Sequence, residues 1–165
     1  LVTFHRPANV DENQNLKVVA EILTEISKLR KIVFPIHPRT KKRFHEFGFE
    51  KAIENKNIIV TEPLGYLDFI SLVKNARTVI TDSGGVQEET TFLSVPCITL
   101  RTSTERPVTV TEGTNTMCEL NVKPIFLFFG SIDKGTYKKG AIPKFWDGKS
   151  SERIAKEVND FLAAR

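Results

Sequence analysis

The chain has 165 residues, enough for one domain with a sizeable hydrophobic core. Its 40% hydrophobic and 27% charged residues are ordinary for a globular protein and do not suggest disorder. The net charge of +4 is the difference between 24 basic and 20 acidic residues, and the basic ones are spread along the chain, which argues against a nucleic-acid partner. No apolar run approaches the roughly 18 residues of a membrane span, and no signal-peptide pattern opens the sequence, so we expect a cytoplasmic protein with no membrane partner.

The first hundred residues alternate short apolar strands with helices. Residues 16–29 carry apolar side chains at helical spacing, which predicts an amphipathic helix. The predicted strands are 1–4, 32–36, 57–60, 78–81 and 97–100, and the other predicted helices are about 40–47, 66–76 and 84–93. Five strand–helix repeats of this length predict an α/β fold with a doubly wound parallel sheet.

The last third is less regular. A short helix is predicted from Glu105 to about Thr111, and a final short strand over 114–118. Between Lys123 and Gly148 the pattern is weak, with an apolar run followed by a segment that resembles a loop. A clearer helix, 151–164, closes the chain, and three of its apolar residues are spaced for docking onto the sheet: Ile154, Val158 and Phe161. We therefore expect residues 1–165 to form a single domain with this helix packed back on it.

Two further features bear on context. Cys97 and Cys118 lie in apolar surroundings and have neither CxxC nor CxxH spacing, so we interpret them as buried free thiols in a reducing compartment. The chain begins inside a predicted strand and without an initiator methionine. We therefore expect it to be a piece of a longer polypeptide.

Gly84 and Gly85 fall at the turn between the strand 78–81 and the helix 84–93. Glycines let a phosphate approach the backbone closely, and the N–H groups and positive dipole end of the following helix favour an anion there. A Gly-Gly turn between strand and helix is also often only a turn. The turn alone leaves both interpretations open.

In an open α/β sheet, ligands bind beyond the carboxyl ends of the strands. Polar residues collect at these ends, after the first, second, fourth and fifth strands: His5, Arg6, His37, Arg39, Asp82, Ser83 and the segment 101–106. The order of these elements therefore predicts that six residues lie together along this edge of the sheet, which we call the rim: His5, Ser83, Gly84, Gly85, Glu89 and Arg106.

The members of this rim have complementary chemistry. Ser83 and the two glycine N–H groups can donate to a diphosphate, and Arg106 can supply a fork-shaped cation. Glu89, one turn into the helix, is suited to accept hydrogen bonds from neighbouring ribose hydroxyls. Each residue also has an ordinary structural alternative: a strand-end hydrogen bonder for His5, a solvated helix residue for Glu89, a core side chain for Phe69, and surface polar groups for His37 and Arg39.

Several other sites find no support in the sequence. There is no GxxxxGK[ST] phosphate loop and no GxGxxG fingerprint, which argues against ATP hydrolysis and NAD binding. His5, His37 and His45 lack the spacing of metal ligands, so we expect no metal. No GxSxG elbow marks a hydrolase serine.

Four segments together resemble the non-hydrolysing UDP-N-acetylglucosamine 2-epimerases, and they occur in that family's order. They are Val2-Thr3-Phe4-His5-Arg6 with Asn9-Val10, Thr81-Asp82-Ser83-Gly84-Gly85-Val86-Gln87-Glu88-Glu89, Thr104-Glu105-Arg106-Pro107, and Glu112-Gly113-Thr114-Asn115. The resemblance covers nearly the whole chain. It implies the Rossmann-like C-terminal half of a two-domain enzyme with glycosyltransferase-B architecture, in which the two halves close over a nucleotide sugar.

The resemblance also implies roles for individual residues. His5 is similar to the family's active-site histidine beside the diphosphate. Phosphate contacts are implied for Ser83, Gly84 and Gly85, a ribose contact for Glu89, a UDP contact for Arg106 and packing against uracil for Phe69. In bacterial members an arginine and a histidine, similar in position to Arg6 and His37, help to bind an activating UDP-sugar. Two positions depart from the family: Ala8 stands where a glutamate is frequent, and Leu64 where some members have a side-chain amide near the base.

The implied reaction eliminates UDP across C1 and C2 of the sugar to give a 2-acetamidoglucal, then adds UDP back with C2 inverted. It needs acid/base groups and a stabilised diphosphate but no cofactor, and the acid/base carboxylates belong to the N-terminal half. The implied partners are a UDP-sugar, that absent half and, at full length, a second copy in a homodimer. Two alternatives stay open: the donor-binding domain of a glycosyltransferase, and a non-catalytic UDP-sugar-binding module.

Overall fold

Each strand contains β-branched residues, which are valine, isoleucine or threonine, and such side chains suit a pleated surface that is covered on both faces. The computed structural model describes residues 1–164, and within this range six strands alternate with eight helices. The strands are β1 (Val2–Thr3), β2 (Ile32–Pro35), β3 (Ile58–Thr61), β4 (Val79–Thr81), β5 (Cys97–Leu100) and β6 (Asn115–Cys118). The helices are α1 (Pro7–Val10), α2 (Asn13–Ser27), α3 (Pro38–Glu46), α4 (Tyr66–Asn75), α5 (Gly84–Phe92), α6 (Pro107–Thr111), α7 (Val122–Asp133) and α8 (Ser150–Ala163), with a 3-10 turn at Glu50–Ala52.

Every paired strand in the described range runs parallel to its neighbour. One hydrogen-bonded sheet has the order β1-β4-β5-β6, and β2 pairs with β3 beside it. Because β1 also contacts β2, the strands follow the order β3-β2-β1-β4-β5-β6 in space. The chain thus builds outward on one side of β1 and then crosses to the other side, which places the topological switch point between β1 and β4.

Hydrophobic side chains pack on both faces of this sheet, as the alternation along β4 illustrates. Val79 belongs to a small cluster with residues of α4 and α5, whereas the next residue, Ile80, belongs to the main core with residues of α2 and α7. Successive side chains of a strand point to opposite faces, so helices cover both sides. The predicted α/β class with a doubly wound parallel sheet is confirmed.

Most predicted elements are present within a residue or two of their expected bounds. One long helix is an exception: α7 occupies the start of the 123–148 stretch, where the sequence pattern is weak. Its run of apolar residues lacks a polar face, and only Ile125 and Phe129, one turn apart, are buried. Leu127 between them is 76% exposed.

Two structural expectations are wrong. The final helix forms as α8, but none of its fourteen residues is buried, so it does not pack back onto the sheet. Ile154, Val158 and Phe161, which were expected to dock, are 63%, 50% and 60% exposed. The thiol of Cys97 is free and buried as expected, whereas that of Cys118, also free, is only partly buried.

Among residues 1–164, no helix is long and apolar enough to cross a bilayer.

Candidate functional site

The strands β1 and β4 end side by side at the switch point. Thr3 pairs in register with Thr81, and their hydroxyl oxygens are 2.6 Å apart. The segments that follow, beginning with His5 and with Asp82, therefore leave the same edge of the sheet together.

Asp82 holds these two segments against each other. Its side chain is fully buried and accepts hydrogen bonds from the backbone N–H groups of His5 (3.2 Å) and Arg6 (3.0 Å) and from the amide of Asn9 (3.2 Å). The Nδ1 atom of His5 lies 3.2 Å from Oδ1 of Asp82. The imidazole, 42% exposed, is thereby fixed at the rim, although sequence reasoning gave Asp82 no role.

The helix α5 begins immediately after Asp82, with Ser83 as its N-cap residue. In the described chain the Ser83 side chain makes no capping bond, and the first N–H groups of a helix have no acceptor within it. A Cβ atom on Gly84 would lie 2.8 Å from Oε1 of Glu105, whereas one on Gly85 would meet nothing within 4 Å. At position 84 a side chain would therefore collide with Glu105, whereas the backbone of Gly85 faces open space at the start of the helix.

A cleft beside this helix start contains four of the predicted site residues. It is lined by His5, His37, Phe69 and Ser83, and also by Leu64, one of the two positions at which the sequence differs from the family pattern. The rings of His5 and His37 are 6.0 Å apart, centre to centre, and Nδ1 of His37 accepts the backbone N–H of Arg39 at the start of α3. The cleft thus joins an aromatic wall to the edge that carries the helix N–H groups.

The remaining predicted residues lie around this cleft rather than in it. Glu89 faces a separate open groove with Tyr66 and Trp146, where burial, and then the neighbouring Glu88, raises the pKa of its carboxyl. Arg106 reaches the same helix, with Nε 2.9 Å from the Glu88 carboxylate. The predicted residues thus lie around the first two turns of α5 but on different surfaces: His5 and Ser83 in the cleft, and Glu89 in the groove.

Arg6 belongs to a cluster that sequence reasoning did not foresee. The Glu105 carboxylate lies between two guanidinium groups, 2.9 Å from Nη2 of Arg6 and 2.7 Å from Nη2 of Arg101. Its hydrogen bond with Arg101 is the main reason why the pKa of Glu105 falls to about 2. The sequence did not predict the pairing of Arg101 with Glu105, because the two residues lie in an irregular connection whose conformation the sequence pattern does not give.

The structure offers no obvious metal centre: in the part of the chain that it describes, no three His, Cys, Asp or Glu side chains are grouped so as to hold an ion. This edge carries groups that suit an anion, since the cleft contains a histidine and the residue before α5, and arginines lie on the neighbouring surfaces.

The chain is similar to known proteins over nearly its whole length. The family model described as UDP-N-acetylglucosamine 2-epimerase matches residues 1–159. A curated UDP-N-acetylglucosamine 2-epimerase of Methanocaldococcus jannaschii is 46% identical over 163 residues, which are 94% of this chain and 43% of the relative. One from Bacillus subtilis is 32% identical over 167 residues, covering 96% of this chain and 42% of the relative.

Two solved structures are similar over the same range. The M. jannaschii UDP-GlcNAc 2-epimerase in complex with UDP-GlcNAc and UDP superposes with a TM-score of 0.80 at 44% identity, covering 96% of this chain and 44% of that one. The UDP-GlcNAc 2-epimerase from Neisseria meningitidis bound to UDP-GlcNAc gives a TM-score of 0.79 at 25% identity, with the same coverage. The chain thus spans less than half the length of the relatives that it matches.

Proposed function

The chain belongs to the UDP-N-acetylglucosamine 2-epimerase family, and from that membership we propose that it is the UDP-binding half of an enzyme that interconverts UDP-GlcNAc and UDP-ManNAc. The arrangement at the switch point carries the proposal. There, the exposed start of α5 and the His5 imidazole share one opening, next to an aromatic cleft. Sites of this kind bind nucleotides in open parallel sheets.

Each part of UDP has a suitable partner on this edge. The uracil packs against Phe69 in the cleft, and because Leu64 offers no side-chain donor, backbone groups bind the base. The ribose hydroxyls donate to Glu89. The diphosphate is bound by the Ser83 hydroxyl, the N–H groups of Gly84 and Gly85, and Arg106, which must first exchange its contact with Glu88.

This half stabilises the leaving group of the reaction. When the bond between C1 of the sugar and the diphosphate oxygen breaks and C2 loses its proton, negative charge accumulates on UDP. Preorganised N–H groups and an arginine lower the barrier by interacting more strongly with that charge than with the intact substrate. In this proposal His5, held by Asp82, donates a hydrogen bond to the diphosphate. We place the groups that move the C2 proton outside this chain.

Arg6 and His37 are proposed as contacts for a second, activating UDP-sugar. They flank His5 from two sides, since Arg6 is the next residue and the His37 ring lies 6.0 Å from that of His5. In the structure Arg6 is paired with Glu105, so this role requires that ion pair to open.

The binding proposal is tested by titrating the isotope-labelled chain with UDP and following backbone amide signals. We expect saturable shifts of the Gly84 and Gly85 signals, and a loss of affinity of about tenfold or more in Arg106→Ala, the usual cost of a charge-assisted hydrogen bond. Arg77→Ala is the matched control, because Arg77 pairs with Asp133 near Leu1 and Thr78, at the opposite ends of β1 and β4. Shifts confined to other surfaces, or equal losses in both variants, would contradict the site.

A second assay tests the division of labour. The isolated chain is incubated with UDP-GlcNAc, and UDP-ManNAc is sought by chromatography. We expect no conversion above a protein-free blank, because the chain spans 43% of the M. jannaschii relative. Turnover that is lost in His5→Ala would show that this half is catalytically sufficient, and the proposal of a half-enzyme would be wrong.

A further inference from the structure

Behind the start of α5 lies a set of buried polar side chains that none of the roles above explains. Gln87, Thr99, Thr109 and Asn115 are each completely buried, and Thr104 is partly buried. They come from α5, β5, α6, β6 and the connection between β5 and α6. Burying so many polar groups is unfavourable unless they bind one another, so their hydrogen bonds are informative.

Gln87 is the centre of this set. Its Nε2 donates to the backbone carbonyl of Ser83 (3.1 Å), and its Oε1 accepts from the Thr104 hydroxyl (2.7 Å) and the Asn115 amide (3.1 Å). The Thr104 hydroxyl in turn accepts the backbone N–H of Arg106 at 3.0 Å. A continuous chain of hydrogen bonds thus connects the backbone of Arg106 to that of Ser83.

The direction of this chain is fixed. A carbonyl can only accept, so the amide nitrogen of Gln87 must face Ser83 and its oxygen must face Thr104. A backbone N–H can only donate, so the Thr104 hydroxyl accepts from Arg106 and gives its own proton to Gln87. Asn115 supports the same orientation, because its Nδ2 also donates to Thr109 and its Oδ1 accepts the Thr99 hydroxyl.

We propose that Gln87 and Thr104 are positioning residues that set the distance between Arg106 and the N–H groups at the start of α5. The proposal rests on the function proposed above, in which those two groups bind the same diphosphate. Neither Gln87 nor Thr104 touches the ligand. They hold two separate segments in the relative position that a rigid anion requires, so that little ordering is needed when it binds.

This role makes a prediction specific to the diphosphate. Loosening the Arg106 segment weakens contacts with phosphate but leaves the proposed base contacts, Phe69 and Leu64, unchanged, because both residues lie outside the network. A residue that only stabilised the fold would not alter the affinity of molecules that remain folded. The ratio of UDP affinity to uridine affinity is therefore the diagnostic quantity.

The test compares Thr104→Val, which keeps the shape and removes the hydroxyl, with Thr104→Ser, which keeps the hydroxyl. Both are titrated with UDP and with uridine by amide NMR, well below their melting temperatures. We expect Thr104→Val to bind UDP about tenfold more weakly than the wild type, which corresponds to the loss of one hydrogen bond. Its affinity for uridine should stay within about twofold of the wild type. The backbone amide of Arg106 should exchange faster with solvent. Thr104→Ser should resemble the wild type.

The outcomes separate the two proposals. A wild-type chain that binds no UDP at this edge would overturn the proposed function and the positioning role together. If the wild type binds UDP but Thr104→Val and Thr104→Ser have the same ratio of UDP to uridine affinity, the proposed function stands and the positioning role is wrong. Gln87→Met is the second variant, and it should reproduce the loss in Thr104→Val.

Discussion

Asp82 is the residue on which the geometry of the rim depends most. It is buried without an arginine or lysine partner among residues 1–164, and its carboxyl oxygens accept N–H donors and lie beside the His5 imidazole. A carboxylate that accepts several N–H groups keeps both flanking turns in one conformation. The same contacts that orient His5 also connect the ends of β1 and β4.

We therefore expect Asp82→Ala to destabilise the chain by about 2–4 kcal/mol, since its removal takes an acceptor from the partly buried N–H groups of His5 and Arg6 and from the buried Asn9 amide. Urea unfolding measures the free energy of unfolding. Glu21→Ala on the exposed side of α2 is the control and should change it by less than about 0.5 kcal/mol. A loss below about 1 kcal/mol in Asp82→Ala would show that water satisfies these donors.

Single residues also show how far the sequence could predict the site. Parallel strands bring their carboxyl ends to one edge, so the position of His5 and Ser83 in one cleft followed from chain order alone, whereas Arg106 lies outside that cleft. The role of Gln87 could not follow, because it depends on where Thr104 lies in an irregular connection. Gly113 is similar: its motif is visible in the sequence, but only packing shows that a Cβ atom there would lie 2.6 Å from the Thr109 carbonyl.

At the scale of elements, prediction succeeded where one face of a segment was consistently apolar and buried. The spacing along α2 corresponds to residues that are fully buried, including Leu16 and Leu23. The same criterion missed α7, whose apolar residues surround the helix, and it misled on α8, whose apolar face is exposed. The spacing of apolar residues predicts that a helix forms. It does not predict whether the apolar face of that helix is buried, because burial depends on residues outside the helix.

The exposure of α8 makes a direct prediction. Replacing Ile154 and Val158 together by alanine should change the free energy of unfolding of this chain by less than about 0.5 kcal/mol, since both are at least half exposed. Leu23→Ala in α2 is the matched helical control. There, a fully buried side chain is lost, and we expect a cost of about 2–5 kcal/mol. Urea unfolding of the three proteins decides, and a loss above about 1 kcal/mol in the double variant would mean that α8 packs on the domain in solution.

At the scale of the whole molecule, the edge around the start of α5 carries charges of both signs, and its arginines are paired with carboxylates of the same chain. Arg6 and Arg101 face Glu105, and Arg106 faces Glu88. Because the pKa of Glu105 is lowered to about 2, this counter-charge is present at every pH at which the chain is expected to work. An anionic ligand must therefore compete with internal carboxylates, and its binding should exchange ion pairs instead of creating them from solvated groups.

Burial of the Cys97 thiol makes the free energy of unfolding depend on pH in the alkaline range. Burial raises the pKa of the Cys97 thiol from 9.0 to about 11, so between these values the thiol is ionised in the unfolded chain but protonated in the folded one. Its contribution to stability is complete below about pH 9 and is lost as the pH rises towards 11, at up to about 1.4 kcal/mol per pH unit. Urea unfolding between pH 8 and 11 under reducing conditions should show this decline.

Cys97→Ala provides the comparison for that decline, because it removes the titrating group. The variant is expected to be less stable at pH 8, since it leaves a small cavity at a completely buried position in β5. Its stability should nevertheless fall less steeply with pH than that of the wild type. The slope is the informative quantity, because the cavity shifts the whole curve whereas the thiol changes its shape. Equal slopes would mean that Cys118 and Tyr137, whose pKa values are also raised by burial, account for the decline without Cys97.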